Sequence, residues 1–164
     1  MNILKMFQNK NREIISENEI VSVMDGELID VAELNDPTFS QKLMGESVAI
    51  RTEENQVTIC SPAAGVIEAL FPTGHAFGVR MKNGIEILVH IGIDSVEAEG
   101  DGFELLNKKQ GDDVQVGEPI VKVDFGKLRG LYEMPVIIIL TNTNGHNISF
   151  IDPSKVALGQ KIVK

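Results

Sequence analysis

Tryptophan is absent from this 164-residue sequence, tyrosine occurs once, at Tyr132, and aromatic residues make up 5%. So few rings argue against a nucleic-acid surface built on base stacking. Basic residues are also scarce: 15 Lys and Arg stand against 24 Asp and Glu, a formal charge of −9. Phosphate backbones repel a chain of that sign, so nucleic acid is not an expected partner. Electrostatic steering would instead favour a basic partner. The single cysteine, Cys60, excludes an internal disulfide and a thiolate zinc cage, and it fits a reducing compartment. In the run Val57-Thr58-Ile59-Cys60 it reads as a buried, inert thiol. Long apolar runs are missing too. The longest, Pro135–Leu140, is far short of the roughly 18–20 residues that a membrane helix needs. The N-terminus lacks the apolar stretch of a signal peptide, so the expected location is cytoplasmic. No GxGxxG, GxxxxGK[ST] or HExxH motif occurs, and Ser61 is followed by Pro62 rather than set in GxSxG.

What the sequence does contain is a β pattern. With 43% apolar residues the chain can bury one substantial core. Residues 1–18 differ in composition and read as a flexible N-terminal segment. Lys5, Lys10 and Arg12 precede any acid, and Ile3, Leu4 and Phe7 could share a helical face. That offers a weak membrane or partner contact, against a frayed tail. From Glu19 to Lys164 short apolar runs alternate with Gly, Pro, Asn and Asp, as in one all-β domain. Strands are expected at Glu19–Val23, Gly26–Asp30, Ser47–Arg51, Gln56–Cys60, Gly65–Leu70, His75–Met81, Ile85–Ile91, Val114–Val116, Pro119–Val123, Pro135–Leu140 and Lys161–Val163. Helical signals are short. Asp36-Pro37 suits a helix start reaching Leu43, Phe103–Lys109 could form one or two turns, and Asp124–Glu133 a short helix or loop. Asp25–Asp30 echoes Ala64–Ala69, and Gly111–Pro119 echoes Gly45–Ile50. The expectation is an antiparallel β-sandwich or barrel-like hybrid with a duplicated motif and a few helical turns. The chain reads as free-standing and monomeric.

Two of the three histidines fall in Thr73–Val96. Asn83-Gly84 between them is a two-residue hairpin signal. That loop would set Phe77 opposite His90 and Val79 opposite Leu88, placing His75, Phe77, Val79, Leu88 and His90 on one face. A three-residue loop would put the two histidines on opposite faces. Converging imidazoles suit a metal site, a phosphorylation site or an acid–base pair. His146, in Thr143–Asn147, reads as an exposed loop histidine. A neutral imidazole has one nitrogen free to attack near pH 7, and phosphoryl transfer needs only in-line approach and donors for the equatorial oxygens. His90 ends a buried strand, His75 could donate to the phosphate, and Thr73 could orient the pair. Asp94 would repel a phosphoryl group unless it meets an imidazole or a partner's cation.

The stretch Gly84–Val96, centred on His90, resembles the phosphohistidine signature of the glucose-family IIA component of the bacterial phosphoenolpyruvate:sugar phosphotransferase system. Thr73-Gly74-His75-Ala76-Phe77 resembles that family's second histidine motif. The similarity runs over roughly residues 19–163, through Asp36–Phe39, Ser61–Gly65, Glu99–Phe103, Gly111–Glu118 and Met134–Leu140. Ser95 stands where Thr is usual, Leu88 where an aromatic residue is common, and Met44 where a β-branched one is. The resemblance implies a cytoplasmic phosphotransferase component with no cofactor. His90 would accept a phosphoryl group from phospho-HPr and pass it to a IIB domain of a sugar permease. His75 would stabilise the phosphate and Thr73 would orient His75. Asp94 would contact a partner or histidine. Phe39, Met44, Phe71, Phe77 and Val96 would form an apolar partner-binding rim. An alternative is a regulatory module that docks on transporters or metabolic enzymes and is switched by phosphorylation of His90. A zinc hydrolase using His75, His90 and Asp94 lacks an evident further ligand and base. No resident metal is expected, although adventitious zinc could sit between His75 and His90.

Overall fold

Apolar residues fill both parities of Val136–Leu140, so this strand must be covered on both faces. It lies at the centre of the fold for that reason. The computed structural model describes residues 18–164. The expectations for the N-terminal segment therefore lie outside the described residues, Asn18 apart. An eight-stranded sheet has the order β11-β1-β2-β10-β6-β5-β4-β8. Its strands are β1 (Gly26–Ile29), β2 (Glu46–Arg51), β4 (Gly65–Leu70), β5 (Ala76–Arg80), β6 (Glu86–Ile91), β8 (Asp113–Val114), β10 (Val136–Asn142) and β11 (Ser154–Val156). A second sheet, ordered β3-β9-β7, holds β3 (Gln56–Cys60), β7 (Phe103–Leu105) and β9 (Pro119–Asp124). Every pairing is antiparallel.

Alternation divides the large sheet's burial. Val136, Ile138, Leu140, Ile87, Val89 and Ile91 join the main core between the sheets. Ile137 and Ile139 enter a second cluster with Ala49, Val31, Leu34, Phe39 and Ile93, and Leu88 packs against it. The cover on that side is a 3₁₀ turn at Val31–Glu33 and the short helix α1 (Pro37–Ser40), which begins at an Asp36 cap. A second short helix, α2 (Phe125–Leu128), follows β9.

The duplication is present at atomic detail. Ser22 and Ser61 each donate a hydroxyl hydrogen bond to the carbonyl two residues on, at 2.6 and 2.7 Å. The Ser22 amide donates to Gln160 and the Ser61 amide to Glu118, both at 2.8 Å. Four residues after each serine comes a glycine that opens a strand. A Cβ on Gly26 would meet the Arg51 carbonyl oxygen at 2.5 Å, and one on Gly65 the Arg80 carbonyl oxygen at 2.1 Å. The echo of Asp25–Asp30 in Ala64–Ala69 is thus a real repeat. That of Gly111–Pro119 is misassigned. Its counterpart is Ala157–Gln160, where the Gln160 side chain accepts from the Ala157 amide as the Glu118 side chain accepts from that of Gln115.

Other expectations change. Glu19–Val23 and Lys161–Val163 contribute only isolated bridges, Val21 to Lys161 and Phe150 to Val163. Phe103–Leu105 is a strand rather than a helix, because Phe103 pairs with Val123 and packs on the main core. The central hairpin has a three-residue loop, Lys82-Asn83-Gly84. The Gly84 amide donates to Met81 at 3.0 Å, and the Met81 amide donates to Ile85 at 2.8 Å. Gly84 has φ +88°, the left-handed residue that closes a turn of this length. Ala76 therefore faces His90, and Phe77 faces Val89. Phe77 is fully buried in the main core, so it is not part of any rim.

Candidate functional site

His90 lies on β6 between buried Val89 and Ile91 and points to the sheet face that carries Leu88 and the second apolar cluster. The three-residue loop gives regular alternation the opposite outcome for His75, yet the two rings still meet. His75 sits just before β5, in a bend that follows Gly74 at φ +78°. Its carbonyl still accepts from the Ile91 amide at 2.7 Å. Its ring leaves the strand's alternation and lies edge-on to that of His90, with centroids 5.4 Å apart and planes at 81°. The histidines converge because of the bend at Gly74, not because of the hairpin register.

Each ring is tied at Nδ1. The His90 Nδ1 lies 2.8 Å from the Gly92 carbonyl oxygen. A carbonyl only accepts, so Nδ1 carries the proton and Nε2 holds the lone pair. The His75 Nδ1 lies 2.6 Å from the Thr73 hydroxyl, which can donate or accept. Phe39 packs its ring 5.0 Å from that of His90, and Phe71 sits 5.2 Å from His75. Burial pushes both histidines below their ordinary pKa, and His90 is lowered further by His75. The Gly92 hydrogen bond, Asp36 and Asp94 act the other way on His90. Both rings are therefore neutral at pH 7.

Phe39 is 7% exposed, against 39% for Met44, 43% for Phe71 and 49% for Val96. Val96 is about half exposed, which fits the rim position expected for it. Asp94 is exposed and adopts φ +61°, and its side chain makes no capping hydrogen bond to the 3₁₀ turn at Ser95–Ala98, although its carbonyl accepts from the Glu97 amide at 3.0 Å. Its charge raises the pKa of His90 slightly against the effect of burial. Among the described residues, no group of three or more His, Cys, Asp or Glu could hold a metal ion. The hydrolase reading therefore lacks its third ligand. Sequence reasoning missed the Gly92 carbonyl and the charge of Asp36. A glycine two residues after a strand-end histidine was the available signal for the first. In the sequence Asp36 reads as a helix start and as part of the resembling stretch Asp36–Phe39, with no charge role at His90.

The family profile of the phosphoenolpyruvate-dependent sugar phosphotransferase system, EIIA 1, matches residues 18–146. The glucose-specific EIIA component of Staphylococcus aureus (strain COL) is 36% identical over 160 residues, which cover 96% of this chain and 95% of that one. The glucose-specific EIICBA component of Staphylococcus carnosus is 35% identical over 145 residues, 88% of this chain but 21% of that protein. The chain thus spans about a fifth of the EIICBA relatives' length and nearly all of the EIIA component's. The solved glucose permease IIA from Mycoplasma capricolum superposes with a TM-score of 0.80 at 31% identity, covering 88% of this chain and 93% of that one.

Proposed function

Since the chain belongs to the EIIA 1 family of the phosphoenolpyruvate-dependent sugar phosphotransferase system, whose members are phosphocarriers in sugar uptake, we propose that the Nε2 of His90 is its phosphoryl acceptor. The observation that carries this is the hydrogen bond from the His90 Nδ1–H to the Gly92 carbonyl. It leaves Nε2 as the nucleophile, on a ring packed against Phe39.

Phospho-HPr is the proposed donor. The Nε2 lone pair of His90 forms a bond to phosphorus as the donor's N–P bond breaks in line. No proton need move: the imidazole keeps its Nδ1 hydrogen, and the positive charge that develops on the ring is stabilised by the Gly92 carbonyl. His75 donates from Nε2–H to a phosphoryl oxygen, which requires the Thr73 hydroxyl to donate to its Nδ1. Return of the phosphoryl group to a IIB domain is the same step reversed onto a new acceptor. Met44, Phe71 and Val96 supply the apolar contact with both partners, while Phe39, expected in the rim, is buried in the second cluster and backs the His90 ring. Asp36 and Asp94 offer charge to a basic partner surface without holding it tightly. Whether the IIB domain is on a separate chain or fused, as in the EIICBA relatives, does not alter this chemistry. Action in the cytoplasm follows from the same role. Among the described residues no helix is long and apolar enough to cross a membrane. Family membership favours the carrier over a regulatory binding module.

The test is incubation with phosphoenolpyruvate, enzyme I and HPr, followed by intact-mass measurement in alkali. The wild type should gain one phosphoryl group, His90→Gln none. His75→Gln should gain it but pass it to a IIB domain at least ~10²-fold more slowly. Phosphorylation of His90→Gln at the wild-type rate would exclude His90.

A further inference from the structure

The Gly92 carbonyl that fixes the His90 tautomer belongs to a residue with wide conformational freedom, so something else must hold it. Gly92 has φ +83°. Its amide donates to the Pro135 carbonyl at 2.8 Å, and the next amide, of Ile93, donates to the Glu133 carbonyl at 2.9 Å. The Gly92 carbonyl and the Ile93 N–H are the two ends of one planar peptide unit. Fixing the N–H on Glu133 therefore aims the carbonyl the other way, at the His90 Nδ1. Above this peptide lies Met134. A Cβ at Gly92 would meet the Met134 Sδ at 2.6 Å and its Cε at 3.0 Å, so the thioether packs against the Gly92 Cα, the pivot about which the 92–93 peptide would turn. Met134 is 8% exposed. The Glu133 carboxylate accepts a hydrogen bond from Asn35 at 3.0 Å, which latches the segment to the loop before α1.

We propose that Met134 is a positioning residue for phosphoryl transfer. By packing on Gly92 it locks the 92–93 peptide, which holds the His90 proton on Nδ1 and reserves Nε2 for phosphorus. The inference rests on His90 being the acceptor but is read separately from it. With Met134 truncated, the peptide gains an alternative orientation, Nδ1 loses its acceptor, and the proton redistributes between the ring nitrogens.

The experiment is long-range ¹H–¹⁵N correlation of the histidine rings in the unphosphorylated full chain at pH ~7.5, where an imidazole is neutral. The wild type should show His90 in the Nδ1–H form. Met134→Ala should move the tautomer ratio about tenfold toward Nε2–H, the size of effect that losing one partly buried hydrogen bond gives. Met134→Leu, which conserves volume, should keep the wild-type ratio. So should Ile120→Ala, which opens a cavity in the other sheet. After phosphorylation, Met134→Ala should carry part of its phosphoryl group on Nδ1. An unchanged tautomer ratio in Met134→Ala, or an equal shift in Ile120→Ala, overturns the proposal. If the alanine variant does not fold, Met134→Val is judged by the same criterion. The tautomer is measured without phosphate. Failure here therefore leaves His90 as acceptor standing, and failure of phosphoryl acceptance leaves the tautomer result standing.

Discussion

At the scale of the residue, two hydrogen bonds of different kind divide the work between two imidazoles. The partner of His90 is a carbonyl, which permits one tautomer. The partner of His75 is a hydroxyl, which permits both. A fixed tautomer beside an adaptable ring suits the proposed roles of nucleophile and phosphate donor. Their pKa values set the pH range. Burial lowers both below the ordinary value near ~6.5, so phosphoryl acceptance should stay level from pH ~8 to ~6.5 and fall only in more acid solution. Stability follows the same sign. The unfolded chain takes up these protons near pH ~6.5 and the folded chain only at lower pH, so unfolding free energy should drop as pH falls through that window and be level above it. Urea melts at pH ~7.5 and ~5.5 check this. The double variant His75→Gln, His90→Gln should lose less stability between the two pH values than the wild type does. An equal loss would contradict the inferred burial of the rings.

At the scale of the element, Asp36 does two jobs that can be separated. Its carboxylate accepts from the Thr38 amide at 2.8 Å and so caps α1, which carries Phe39 against His90. It also places a negative charge near His90. Asp36→Ala should cost about 1 kcal/mol through the lost cap. Asp36→Asn keeps the cap, so denaturant melts should show near wild-type stability while transfer from phospho-HPr slows. The charge role fails if Asn is as fast as wild type. Elements with a strong pattern were legible in the sequence. Gln56–Cys60 and Gly65–Leu70 match to the residue, because alternation or an apolar run between turn residues leaves few alternatives. Ser154–Val156 was missed, since a three-residue edge strand with two exposed positions has no period to detect. Phe103–Lys109 was misread because its local pattern is helical, whereas pairing with β9 decides it. The hairpin was found but its loop was one residue short in prediction. Asn83-Gly84 suits both loop lengths, and in the observed loop the Asn83 side chain accepts from the Ile85 amide at 3.1 Å. The histidine pair was legible as chemistry. The bend that unites it and the Gly92 carbonyl were not, because both depend on backbone geometry far from any sequence period.

At the scale of the whole molecule, a nearly symmetric scaffold carries an asymmetric site. The paired contacts of Gly26 with Arg51 and Gly65 with Arg80 relate β2 to β5, and the ladders Ile50–Val136 and Val79–Ile87 then relate β10 to β6. Under that correspondence Ile139 matches His90, and Glu46 matches His75. Ile139 is buried in the second apolar cluster, while His90 sits beside Phe39 of that cluster and stays partly exposed. The net charge of −9 belongs to this scale as well. Raising ionic strength from ~0.01 M to ~0.15 M shortens the screening length from about 30 Å to about 8 Å. The second-order rate of transfer from phospho-HPr, measured by rapid quench, should fall several-fold, while the extent of phosphorylation at equilibrium changes little. A rate independent of salt would remove steering from the account. The most direct test of the central claim is heteronuclear NMR of the ¹⁵N-labelled, enzymatically phosphorylated chain, which places the phosphoryl group on one ring nitrogen. The account predicts a single phosphorus bonded to Nε2 of His90, with Nδ1 still protonated. Phosphorus on His75 or on Nδ1 of His90, or none while HPr in the same tube is phosphorylated, would contradict it.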